Sequence, residues 1–135
     1  MSLHHDLILD HYKNPRNFGE LSDADVTIKE ENIECGDDIE IFLKLQGRNA
    51  KRQIEKIKWR GRGCAIAMAG ASMLSERALR MKDEGQRMKE ENSIRRILAL
   101  TDKDMVKMLG GEISPSRMKC ATLALRAMQK VLASL

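Results

Sequence analysis

Ile39-Glu40-Ile41-Phe42-Leu43-Lys44-Leu45 sets an apolar residue at every second position, and the Gln46-Gly47-Arg48-Asn49 that follows reads as a turn. Successive side chains of a β-strand point to opposite faces, so this stretch is a strand with Ile39, Ile41, Leu43 and Leu45 turned to a core. Upstream, Val26 and Ile28 alternate with polar residues in the same way. Downstream, residues 54 to 60 put Ile57 and Trp59 on one face and Lys56, Lys58 and Arg60 on the other. Three such runs with short connections predict a three-stranded antiparallel meander.

On either side of these runs the period changes from two to that of a helix. Leu3, Leu7, Ile8 and Tyr12 lie at helical spacing until Asn14-Pro15 stops them. After Gly61-Arg62-Gly63, the run from Cys64 to Leu74 is rich in Ala, Gly and Ser, a helix able to pack closely on a sheet. Residues 82 to 92 are polar and mixed in charge around Gly85, and read as a helix break or surface connection. Ile94, Ile97 and Leu98 open another helix, Thr101 or Asp102 caps the next, and Gly110-Gly111 ends it. The last helix starts near Ser114-Pro115-Ser116 and carries the stripe Met118, Ala121, Leu125, Met128 and Leu132. The methionines on such stripes read as core fillers.

A length of 135 residues fits one domain, residues 1–135, with a sizeable core. Hydrophobic content of 42% beside 33% charged residues describes a globular chain, and no apolar run approaches the roughly 18 residues a membrane helix needs. The opening residues are too polar for a secretory signal, so a cytoplasmic location without membrane partners is the expectation. Net charge is +4 and the pI about 9.1, which suits an acidic partner. Aromatic content of 3% leaves few platforms for stacking bases, so nucleic acid is not expected. The stripe of Lys56, Lys58 and Arg60 reads as a solvated sheet face or as a docking site for an acidic partner.

Chemistry concentrates in three cysteines, Cys35, Cys64 and Cys120, each in a connection or near a helix start. Their odd number gives no closed disulfide framework. Three soft sulfurs with the carboxylate of Asp37, two residues from Cys35, match the ligand count of a four-coordinate metal or an iron-sulfur cluster. They are too far apart in sequence for one local knuckle, so a shared site must be assembled by the fold. Gly36 permits the backbone to bend so that Cys35 and Asp37 aim at one point. Cys64, at a helix N-terminus, sits where the helix dipole favours a thiolate. Cys120 falls between the positions of its helix's apolar stripe and reads as pointing to a site rather than into the core. His4, His5 and His11 all lie in the first helix and read as surface or packing residues, and no constellation for hydrolysis is present.

In order, His11-Tyr12-Lys13-Asn14-Pro15-Arg16-Asn17, Cys35-Gly36-Asp37, Gly63-Cys64-Ala65-Ile66 running into Ala71-Ser72-Met73, and Lys119-Cys120-Ala121-Thr122-Leu123-Ala124 resemble the iron-sulfur cluster assembly scaffold family of IscU, SufU and NifU N-terminal domains. The resemblance spans nearly the whole chain. It implies an α+β fold, a small antiparallel sheet packed against helices, with a site of Cys35, Asp37, Cys64 and Cys120 at one end. It also implies sulfur delivered as a persulfide by a cysteine desulfurase, added iron, and a transient [2Fe-2S] cluster passed to acceptor proteins. Lys119 stands where IscU-type members carry His, and Ile113-Ser114-Pro115-Ser116-Arg117 replaces their chaperone-recognition segment, so a dedicated Hsp70-type chaperone is not implied. The long interval between Cys64 and Cys120 and the Lys119-Cys120-Ala121-Thr122-Leu123-Ala124 ending look more like the SufU branch, whose members bind zinc at three Cys and the Asp and relay persulfide sulfur. Three readings follow: a scaffold that carries rather than catalyses, a zinc-dependent sulfurtransferase with Cys35 as the persulfide acceptor, and, ranked last, a structural zinc module.

Overall fold

The computed structural model describes residues 3–48, 52–88 and 93–135, and the side chains of 6–48, 52–81 and 93–135. Helix α1 (Leu3–Lys13) precedes strands β1 (Val26–Asn32), β2 (Asp37–Gln46) and β3 (Gln53–Arg62). Helices α2 (Ala65–Met88), α3 (Ser93–Leu98) and α4 (Asp102–Met108) follow, then a 3-10 turn (Pro115–Arg117), α5 (Met118–Ala121) and α6 (Leu123–Leu132). The strands form the expected antiparallel meander in the order β1-β2-β3. Ile28 pairs with Ile41, and Ile41 with Trp59, so one face of all three strands is apolar.

Ile39, Ile41, Leu43, Ile57 and Trp59 are buried on that face, beneath α2 and α6. Ile54 joins them although it lies three residues from Ile57. The register shifts so that Lys44 pairs with Lys56 while Leu45 pairs with Ile54, leaving Glu55 as a bulge that turns Ile54 back to the core. Strict alternation does not reveal this. Ala67, Ala71 and Ala78 of α2 enter the same core, and their short side chains let the helix lie close to the sheet.

Three elements depart from the sequence reading. Residues 82 to 88 continue α2 past Gly85, and 89 to 92 lie outside the described residues. One glycine costs a helix about 1 kcal/mol, which neighbouring Lys, Glu, Gln, Arg and Met, all good helix formers, offset. The last helix is not continuous. Thr122 leaves helical geometry at φ −105° and ψ 3°, which divides the chain into α5 and α6, and its hydroxyl donates to the Met118 carbonyl at 2.9 Å. Cys120 is not directed away from the core: it is 1% exposed and packs within it.

Thr101 caps α4 in a reciprocal box with Asp104, and Gly110 and Gly111 leave the helix with positive φ. Beyond α1 the chain runs along the edge of β3. Trp59 N–H donates to Asn17 O at 3.0 Å, Gly19 N–H to Trp59 O at 2.8 Å, and the Trp59 indole to Arg16 O at 2.8 Å. Among the described residues no helix is long and apolar enough to cross a membrane.

Candidate metal centre

The turn between β1 and β2 begins and ends on the cross-strand pair Asn32 and Asp37. Cys35 N–H donates to Asn32 O at 3.2 Å, and Gly36 takes φ 69°, left-handed backbone where a side chain is disfavoured. Cys35 is thereby held exposed at the turn while Asp37 faces inward at 2% exposure.

Gly63 ends β3 at φ 157°, and a Cβ there would stand 2.4 Å from Asp37 Oδ1. The missing side chain lets the chain pass directly over the carboxylate. Cys64 N–H then donates to Asp37 Oδ1 at 2.9 Å, and Cys64 O accepts from Met68 N at 3.1 Å as the first bond of α2. Cys64 is therefore at the helix start, half-buried. Cys120 arrives on α5, which approaches α2 closely because a Cβ at Gly70 would sit only 3.2 Å from Ala121 O.

Ligand atoms of Cys35, Asp37 and Cys120 all lie within 4.8 Å of one another. Cys64 stands outside that trio by distance but borders it, through its backbone bond to Asp37 and a side-chain interaction with Cys120. Burial pushes the Cys120 thiol well above its ordinary pKa, and hydrogen bonds with Asp37, Cys35 and Cys64 push it further. A cation reverses that preference, since a coordinating thiol is deprotonated. The donor chemistry fits a thiophilic metal: a buried carboxylate beside clustered thiols satisfies its charge by binding a cation.

Two residues at the site have no sequence signal of the kind cysteines carry. Arg117, in the 3-10 turn, has its guanidinium at the thiols; its pKa is raised first by a hydrogen bond to Cys120, then by the charges of Cys64, Cys120 and Cys35. Asn32 is 5% exposed and reaches both Asp37 and Cys120. Lys119 does not stand in for an imidazole ligand. Its ammonium pairs with Glu34 at 3.1 Å, tying α5 to the Cys35 turn. His11 is a packing residue, with Nδ1 2.7 Å from Ser72 Oγ, while the side chains of His4 and His5 lie outside the described residues.

The family model described as NifU-like N terminal domain matches residues 3–134. A zinc-dependent sulfurtransferase SufU of Bacillus subtilis (strain 168) is 36% identical over 96% of this chain and 88% of its own. An iron-sulfur cluster assembly scaffold protein IscU of Archaeoglobus fulgidus is 32% identical over 96% of this chain and 74% of its own. The crystal structure of a candidate SUF-system scaffold protein from Fervidobacterium islandicum superposes with a TM-score of 0.71, covering 97% of this chain and 99% of that one. At 18% identity that likeness speaks for the fold alone.

Proposed function

Because the chain belongs to the NifU-like N-terminal domain family, we propose that it is an iron-sulfur cluster assembly scaffold. In this reading it accepts sulfur from a cysteine desulfurase and holds a [2Fe-2S] cluster on Cys35, Asp37, Cys64 and Cys120 until an acceptor protein takes it. What supports the reading is one exposed thiol, Cys35, within 4.8 Å of a buried thiol and a buried carboxylate. A donor needs an accessible entry sulfur, and a labile cargo needs shelter from water.

Cys35 thiolate attacks the outer sulfur of the donor's persulfide. One S–S bond forms on Cys35, the donor's S–S bond breaks, and the donor leaves as thiolate. Each sulfane sulfur takes up two electrons from an external reductant to become sulfide, and iron enters with it. Asp37 is the one hard oxygen among sulfurs, so it is the ligand that an acceptor's thiolate displaces most readily. Cys64 N–H and Asn32 hold that carboxylate in place while it serves.

A second reading is favoured by the compactness of the donor set, which also suits one tetrahedral zinc, and by the name of the Bacillus subtilis relative. Zinc would then hold the thiols until Cys35 is released to accept sulfur. Asp37→Ala separates the two readings. A scaffold variant still assembles a cluster under anaerobic iron and sulfide but transfers it several-fold more slowly, followed by visible absorbance. A variant that assembles none, and loses zinc and desulfurase stimulation together, assigns the chain to zinc-dependent sulfur relay instead.

A further inference from the structure

We propose that Asn32 is a positioning residue of the metal centre, whose amide NH2 orients the Asp37 carboxylate and lowers the donor strength of the Cys120 sulfur. The inference rests on reading Cys35, Asp37, Cys64 and Cys120 as metal-binding. Asn32 is the last residue of β1 and the direct cross-strand partner of Asp37, so both side chains leave the sheet on its inner face. Its Nδ2 lies 3.4 Å from Asp37 Oδ2 and 3.6 Å from Cys120 Sγ. A ligating carboxylate and a ligating thiolate only accept hydrogen bonds, and an amide nitrogen has two hydrogens, one for each.

The same carboxylate is held from its other side, where Cys64 N–H meets Oδ1 at 2.9 Å. With one donor on each oxygen, Asp37 cannot rotate about its own axis, and its remaining lone pairs are aimed rather than scattered. Glu30, two residues earlier on the same face, is drawn away to Lys130 at 3.0 Å and does not compete for the amide. Asn32 is 5% exposed, and among the described residues its side-chain hydrogen bonds go to Asp37 and Cys120. Partners of this kind, beyond the ligands themselves, orient a ligand and tune the electrons it offers.

The test uses Co2+ as probe on the metal-free full chain, comparing wild type with Asn32→Leu, which removes both donors while keeping the branching at Cγ. Asn32→Ala is carried beside it, so that a folding failure of one leaves the other to decide. Expected is an affinity for Co2+ about 10- to 100-fold weaker, measured by chelator competition. The sulfur-to-cobalt charge-transfer band moves to longer wavelength, because the Cys120 lone pair loses its stabilising N–H. Most of the affinity loss disappears in an Asp37→Ala background, where there is no carboxylate left to orient. Unchanged affinity and an unchanged band overturn the role of Asn32 while leaving the metal centre standing. An affinity loss of equal size with and without Asp37, at constant band energy, reduces Asn32 to packing and also overturns it. Wild type giving no charge-transfer band with Co2+ overturns the metal centre itself.

Discussion

Gly63 shows how a residue with no side chain positions one that has chemistry. Its φ of 157° disfavours a Cβ, and that Cβ would fall 2.4 Å from Asp37 Oδ1. Gly36 also has positive φ, at 69°, but nothing lies within 4 Å of the Cβ it lacks. Gly63→Ala therefore has to move the carboxylate, whereas Gly36→Ala adds only backbone strain of about 1–2 kcal/mol. Zinc retained after purification, with Co2+ titration of the stripped protein, should show Gly63→Ala binding at least tenfold more weakly and Gly36→Ala remaining close to wild type. Equal losses would mean that the close approach of β3 to Asp37 does not control the site. The sequence exposes the cysteines and Asp37 because sulfur ligands are few and chemically distinctive. Asn32 and Arg117 stay hidden because an amide or guanidinium has no diagnostic spacing, and only proximity to Cys120 reveals them.

Helix α1 is joined to α2 by a buried polar contact rather than by apolar packing alone. His11 Nδ1 lies 2.7 Å from Ser72 Oγ, Arg16 N–H donates to the same hydroxyl at 2.9 Å, and Nε2 faces Glu76 at 3.7 Å. Burial lowers the His11 pKa, Arg16 lowers it further, and Glu76 and Asp10 oppose them less strongly. The unfolded chain thus binds a proton here more readily than the folded one, and protonation favours unfolding. The contribution is fully present above the unfolded value of about 6.5 and is lost as pH falls below it. Thermal melting at pH 7.5 and 5.5 should show a larger drop for wild type than for His11→Gln, which keeps a polar group but does not titrate. The same drop in both proteins would place the pH sensitivity elsewhere. The break at Thr122 is likewise an element-scale feature: the stripe of the last helix is continuous in sequence, and the turn of the backbone at Thr122, φ −105° and ψ 3°, divides it.

Across the whole molecule, the stripe on the outer face of the sheet is not a row of three equivalent cations. Arg60 pairs with Glu40 and Glu20 and lies over the Phe42 ring at 5.4 Å, so its charge is largely matched. Lys56 and Lys58 have no ion pair among the described residues. At about 3.3 Å per residue they lie roughly 20–26 Å along the strand from Cys64, within the footprint of a protein partner. Under the proposed function, reversing both to Glu should slow association with a cysteine desulfurase about tenfold at low salt and flatten its salt dependence, leaving metal content unchanged. Adding Arg60→Glu should cost stability more than rate. If stopped-flow association is unaltered by the double reversal, the stripe is solvated surface. The meander, the helical flanks and the chemical identity of the candidate metal donors were determined by the sequence alone, since alternation, helix caps and soft ligands are properties of neighbouring residues. Whether Cys35, Asp37 and Cys120 meet, and which oxygen of Asp37 each donor holds, were decided by the tertiary structure. Those outcomes depend on how closely β3, α2 and α5 approach, a distance set by Gly63, Gly70 and the small residues of α2 acting across the core.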